Sequence, residues 1–199
     1  MLKLLFLGTS AARPTVERSV SAVAVVREGE TLLFECGEGT QRQMMRYGVG
    51  FALSDIFFTH FHADHFLGVI GLVRTLGLQG RTDPMRLFGP KGARKILGGA
   101  LGLGVERVPF EVEIVELEAG ESLRRGDYDL LTYAADHGAN ALGYVLVEKD
   151  RLGKFDPARA IELGVPEGPL WGRLQRAEAV QLEDGRTVEP DAIVGAPRP

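Results

Sequence analysis

"THFHADH", residues 59–65, holds three of the chain's four histidines, with Asp64 between the second and third. It overlaps the end of "DIFFTH" (55–60), an apolar run of strand character, and precedes "FLGVIGLVRTLGLQG" (66–80), which is apolar at helical spacing. Backbone leaving a strand keeps a period of two, so His60, His62 and Asp64 share one side. His65 opens the following helix and turns back toward the same space. Imidazoles at this spacing suit a divalent cation such as zinc, and a carboxylate beside them admits a second metal. Simpler readings exist for single residues: Asp64 as a helix N-cap, or any one histidine as a surface residue. They do not explain the set. His137 lies between the strand-like runs "LLTYAAD" and "ALGYVLV". Alone it reads as a hydrogen-bonded loop residue, and beside three clustered histidines it reads as a fourth ligand.

The remaining composition is that of an ordinary globular chain. Its 199 residues are 45% hydrophobic and 25% charged, which suits one domain or one domain with an insertion. A net charge of −4 excludes a globally basic nucleic-acid wrapper but leaves room for a local basic patch. Cys36 is the one cysteine, so no internal disulfide forms and a reducing compartment suits the chain. No run of about 18 apolar residues is present, and the N-terminal run is too short for a secretory signal. The expectation is a cytoplasmic protein with no membrane span.

"LKLLFL" (2–7) predicts a buried strand, and "SAVAVV" (21–26) and "TLLFEC" (31–36) predict a hairpin around Arg27–Glu30. "TQRQMMRYG" (40–48) and "PKGARKILGGALG" (90–102) predict helices. "MRLFG" (85–89), "FEVEIVEL" (110–117), "DYDLLTYAAD" (127–136) and "ALGYVLVEK" (141–149) predict strands. Strands with helices inserted imply an α/β fold whose sheets are covered by helices. After Lys149 the chain is richer in breakers. A short helix near 156–164 and a hairpin on Asp184-Gly185 are all it predicts, so 150–190 reads as an arm rather than as core.

H-x-H-x-D-H after a strand, with a later lone histidine, resembles the metallo-β-lactamase superfamily. Within it the chain is most similar to the RNase Z family of tRNA 3′-processing endonucleases. The likeness rests on "LFLGTSAARP", "LFECGEGTQRQ", "FFTHFHADH", "LFGPKG", "DHGANALGY" and "VPEGPLWGRLQ", in that order along the chain. It implies an αββα sandwich, with 1–149 supplying the N-terminal half, 150–190 a protruding tRNA-binding arm and 191–199 the start of the second half. It implies a zinc-dependent endoribonuclease that removes the 3′ trailer of precursor tRNA and works as a homodimer. His60, His62 and His137 would then hold one zinc, and Asp64 and His65 the other. Asp64 would also orient or deprotonate the attacking water. Gly168-Pro169, with Arg173 and Arg176, would mark the arm that binds substrate, and Arg18 a loop near the RNA 3′ end.

The departures from that pattern are specific. Glu35 stands where the family usually has Asp, and one extra methylene there changes how a ligand is oriented. The loop Pro14–Ser19 keeps Pro14 and Arg18 but lacks the family's lysine. The arm is not strongly basic, with five Lys/Arg against three Asp/Glu over 151–176. A metal-bridging Asp and a last ligating His belong to the family's second half, and no histidine follows His137 here. This 199-residue chain alone is therefore expected to bind at most one zinc tightly and not to cleave precursor tRNA usefully. Two alternatives stay open: another hydrolase of the same fold, acting on an aryl ester or sulfate, or a non-catalytic tRNA-binding half-domain. The Gly-Pro arm argues against a small substrate.

Overall fold

The computed structural model describes residues 2–53, 55–105, 107–138, 140–150 and 153–196. The chain divides into two units, 1–122 with 131–145, and 123–130 with 146–199. In the first, β1 (Leu2–Gly8), β2 (Ala22–Arg27) and β3 (Glu30–Phe34) form an antiparallel meander. β4 (Asp55–Phe57), β5 (Met85–Pro90) and β6 (Val112–Leu117) extend the sheet in parallel, in sequential order. Parallel pairing demands crossovers. α1 (Thr40–Arg46) leads from β3 to β4. α2 (Ala63–Phe66) and α3 (Gly68–Leu78) lead to β5, and α4 (Ala93–Leu101) leads to β6.

The period of two sorts residues between the faces of this sheet. Leu33, Ile56 and Leu87 are neighbours in register and fully buried. They join one core with Met44, Leu72, Val73 and Leu97 from the crossover helices. Each such side chain contributes about 1.5–3 kcal/mol on burial. On the other face Phe34, Phe57 and Phe88 are register neighbours whose rings stack at 5.1 and 4.8 Å. Tyr144 meets Phe57 edge-on at 5.5 Å and donates its hydroxyl to Phe58 O at 2.8 Å. Burial pushes the Tyr144 phenol far above its ordinary value, so it keeps the proton it donates.

The expectation of a buried first strand is corrected. Leu2, Leu4 and Phe6 are 40%, 56% and 64% exposed. β1 is an edge strand, so only its Leu5 and Leu7 side meets the core. An apolar run reveals strand character but not whether both faces are covered.

β7 (Ser122–Arg124), β8 (Tyr128–Ala134) and β9 (Leu142–Glu148) form a three-stranded sheet. β7 is too short to show an alternation, and the sequence did not predict it. The second unit contains α5 (Pro157–Glu162), α6 (Pro169–Gln175) and the hairpin of β10 (Val180–Gln181) with β11 (Thr187–Val188). Asp156 caps α5 by accepting Arg159 N–H at 3.0 Å. Gly185, at φ 85°, makes the hairpin turn.

This unit has a core of its own: Ala160, Val165, Leu174, Val180, Val188 and Ile193. Trp171 packs on Phe155 at 5.1 Å and donates its indole N–H to Val165 O at 3.2 Å. The reading of 150–190 as an arm without core is corrected in that respect, because Pro and Gly here end short elements that still pack. α6 was also unforeseen, although Pro169 sits at its first position after Gly168, where proline favours a helix start. Among the described residues no helix is long and apolar enough to cross a membrane.

Candidate metal centre

Beyond β4 the chain runs as a loop from Phe58 to His62. Phe58 N–H is held by Phe88 O at 2.8 Å, and Thr59 O accepts Leu142 N–H at 2.9 Å. His62 stands extended at the start of α2, and its carbonyl accepts His65 N–H at 3.0 Å. Asp64 lies in the first turn of α2 and does not cap it. Its Oδ2 instead accepts Ala12 N–H at 2.8 Å, from a loop 52 residues earlier.

A second segment, following β3, braces the same turn. Glu35 N–H donates to Phe57 O, Cys36 N–H to His65 O at 2.7 Å, and Gly68 N–H to Cys36 O at 2.8 Å. The backbones touch here. A Cβ on Gly68 would lie 1.9 Å from Gly37 O, and one on Gly37 2.3 Å from Asp64 O. Only glycine fits at either position. Cys36 is buried, and burial foremost pushes its thiol up to about 12, so it stays protonated and is no thiolate ligand.

The histidines converge. His60 Nε2 lies 3.1 Å from His62 Nδ1. Ring centroids are 4.6 Å apart for His60 and His62, 4.6 Å for His60 and His137, and 5.2 Å for His62 and His137. His137 arrives from the loop after β8, which Ala135 N–H closes onto Ala141 O at 3.0 Å. One donor atom from each of His60, His62 and His137 lies within 4.8 Å of the others, and Glu35, His60 and His65 form a second such group. His65 Nε2 is 3.5 Å from Asp64 Oδ2, and its Nδ1 is 3.3 Å from Glu35 Oε1.

Electrostatics favour metal-binding protonation states at His60 and Asp64. Burial first, then the neighbouring His65, His62 and His137, press His60 down to about 4, which keeps it neutral at pH 7. Burial works to raise the Asp64 carboxyl, but hydrogen bonds from Ala12 and its own backbone, with His65 and His62 beside it, hold it below its ordinary value. For His65 burial favours the neutral ring, and the Glu35 and Asp64 carboxylates outweigh it, so this imidazole sits above its ordinary value.

The donors fit a divalent cation. Three imidazoles from two loops make a first set, and an aspartate–histidine pair lies alongside. Among the described residues the buried Glu35 Oε2 has no hydrogen-bond partner, as expected where a cation completes the charge balance.

The remaining sequence-predicted residues lie elsewhere. Arg18 is exposed in the loop after β1, with its backbone N–H on Thr15 Oγ1 at 2.9 Å. Gly168 and Pro169 open α6 in the second unit. Arg173 and Arg176 both pair with Glu178, at 3.2 and 3.3 Å. Two participants escaped the sequence reading: the Ala12 N–H and Thr59. Ala12 is held in left-handed backbone, at φ 60°, which nothing in "TSAARP" signals. Thr59 directly precedes His60, and that adjacency was the only cue.

A family model described as the metallo-beta-lactamase superfamily matches residues 15–151. The Ribonuclease Z of Gemmatimonas aurantiaca is 60% identical over 195 residues, 97% of this chain and 62% of that protein. The Ribonuclease Z of Myxococcus xanthus is 56% identical over 199 residues, 100% of this chain and 65% of that protein. The chain thus spans less than two thirds of the length of these relatives. Among solved structures, the short form of human tRNase Z superposes with a TM-score of 0.67 at 32% identity, covering 75% of this chain and 64% of that one. The stretch matched by the family model takes in both the histidine turn and His137, and the chain belongs to the metallo-β-lactamase superfamily.

Proposed function

We propose that this chain is the metal-binding part of a zinc-dependent phosphodiesterase, an endoribonuclease that removes the 3′ trailer of precursor tRNA. The observation that carries the reading is the convergence of His60, His62 and His137 from two separate loops. The chain's 60% identity to a protein named Ribonuclease Z supplies the substrate class. His60, His62 and His137 would hold one zinc, and Asp64 and His65 a second. A cation held there supplies positive charge for a phosphate in transition and acidifies water.

The chain's own residues do the rest. His60, neutral at pH 7, offers a lone pair rather than a proton. Asp64, ionised and fixed by Ala12, is placed to orient water and take its proton. The first set has three nitrogens and the second only two side chains, so one zinc binds more tightly than the other. Gly168, Pro169, Arg173, Arg176 and Arg18 are the substrate-binding residues, and the working form is a cytoplasmic homodimer.

Metal analysis and a cleavage assay on the same sample test this. The 199-residue chain should retain at most one zinc after dialysis and cut precursor tRNA poorly. A chain carrying the relatives' full length should cut it well, and His62→Ala should abolish that. Hydrolysis of a small aryl ester by the longer chain, with precursor tRNA left intact, would end the reading.

A further inference from the structure

Thr59 stands between a carboxylate and an imidazole. Its hydroxyl donates to Glu35 Oε1, and the same oxygen accepts Thr59 N–H at 3.0 Å. Thr59 Oγ1 also lies 2.8 Å from His60 Nδ1. A hydroxyl has one proton to give, and the Thr59 hydroxyl gives its hydrogen bond to Glu35 Oε1. With that proton on Glu35, the hydroxyl can only accept from His60, so His60 Nδ1 carries the hydrogen. The reverse arrangement would turn a hydroxyl lone pair onto an oxygen of the buried Glu35 carboxylate and take one donor away from it, leaving the Thr59 N–H.

We infer that Thr59, held by Glu35, is a positioning residue that fixes His60 as its Nδ1–H tautomer and so aims the Nε2 lone pair at His62 and His137. His60 Nε2 is the atom found 3.1 Å from His62 Nδ1, inside the three-histidine group. Glu35 reaches the neighbouring ligand as well, since its Oε1 lies 3.3 Å from His65 Nδ1. A hydrogen on His65 Nδ1 would face Glu35 and leave Nε2 beside Asp64 Oδ2. One carboxylate thus orders imidazoles from both donor groups, His60 through a hydroxyl and His65 directly. Its backbone, at φ 62°, adopts the left-handed region that non-glycine residues seldom occupy, and this brings the side chain onto the histidine turn.

The inference rests on reading His60 as a metal ligand, and the test separates the two. Long-range ¹H–¹⁵N spectra of the metal-free 199-residue chain report each imidazole tautomer with no cation present. His60 should show its proton on Nδ1 in the wild type and in Thr59→Ser, and a mixture in Thr59→Val. Zinc affinity, measured by competition with a chromophoric chelator, should fall about 10–100-fold in Thr59→Val and recover in Thr59→Ser. A His60 ring protonated mainly on Nε2 in the wild type overturns the inference without any variant. So does a folded Thr59→Val chain with unchanged tautomer and zinc affinity. A wild-type chain with the Nδ1–H tautomer that binds no zinc removes the metal-site reading instead, and with it the ligand role assigned to that tautomer.

Discussion

Polar side chains are held by opposite means in the two units. In the first, the carboxylates of Glu35, 5% exposed, and Asp64 take partners from far along the chain: Thr59 to Glu35 and Ala12 to Asp64. In the second, charges lie on the surface and pair with near neighbours: Arg159 with Glu162, Arg173 and Arg176 with Glu178, Arg186 with Asp184. Exposed pairs of this kind contribute about 0–1 kcal/mol and exchange readily, whereas leaving a buried polar group unpaired costs about 1–3 kcal/mol. The first arrangement fixes donor atoms. The second keeps cations soluble and leaves them available to another anion.

Four measurements test this contrast. The largest effects belong to the two cores. Leu72→Ala and Leu174→Ala, both fully buried, should each cost about 2–5 kcal/mol. Hydrogen exchange should locate the loss in the mutated unit. A cost under 1 kcal/mol at Leu174 would mean the second unit has no working core.

Next is the donor set. His62→Ala should lower zinc affinity by at least about 100-fold, beyond the range of partners that only orient a ligand, as read by chelator competition. Unchanged affinity would show that the convergence does not bind metal.

Third, Glu178→Gln should leave stability almost unchanged while freeing Arg173 and Arg176 from Glu178. Retention on heparin, and its salt dependence, should then rise. Weaker retention would show that Glu178 organises the arginines rather than occupying them.

The smallest effect is at Glu116. Its Oε1 accepts Gly92 and Arg94 N–H, at 2.9 and 3.1 Å, where α4 begins. The Arg94 hydrogen bond foremost holds its carboxyl below the ordinary 4.5. A carboxyl depressed on folding adds stability above its unfolded value, and that stability is lost as pH falls through the folded one. Wild type should therefore lose slightly more stability than Glu116→Gln as pH drops below about 4.5. Parallel acid titrations of denaturation midpoints would show it, and coincident curves would remove Glu116 from the account.

The same contrast explains what the sequence disclosed. The histidine turn was legible because a scarce residue type recurs at a spacing that strand geometry converts into one direction. His137 was legible only by association with that turn. Ala12 was not, because a backbone N–H in a left-handed conformation leaves no mark on residue identity. Thr59 was not, because hydroxyls before turns are common and its role depends on Glu35, folded in from another strand. In the second unit Pro166, Gly168 and Pro169 signalled interruption correctly but concealed α6, since a proline that ends one element can begin the next. At β1 the apolar run showed a strand and hid an edge, because exposure depends on neighbours, not on the run itself.

The parallel ladder from β3 to β6 also sets an order in time. Each pairing waits for a crossover to close, and such non-local contacts place a chain toward the slower, millisecond-to-second end of small-domain folding. His137 is synthesised 77 positions after His60, roughly 4–15 s later at about 5–20 residues per second. Throughout that interval the nascent chain carries His60 and His62 without His137. The three-histidine set is therefore complete only after β8 has delivered the loop that carries His137.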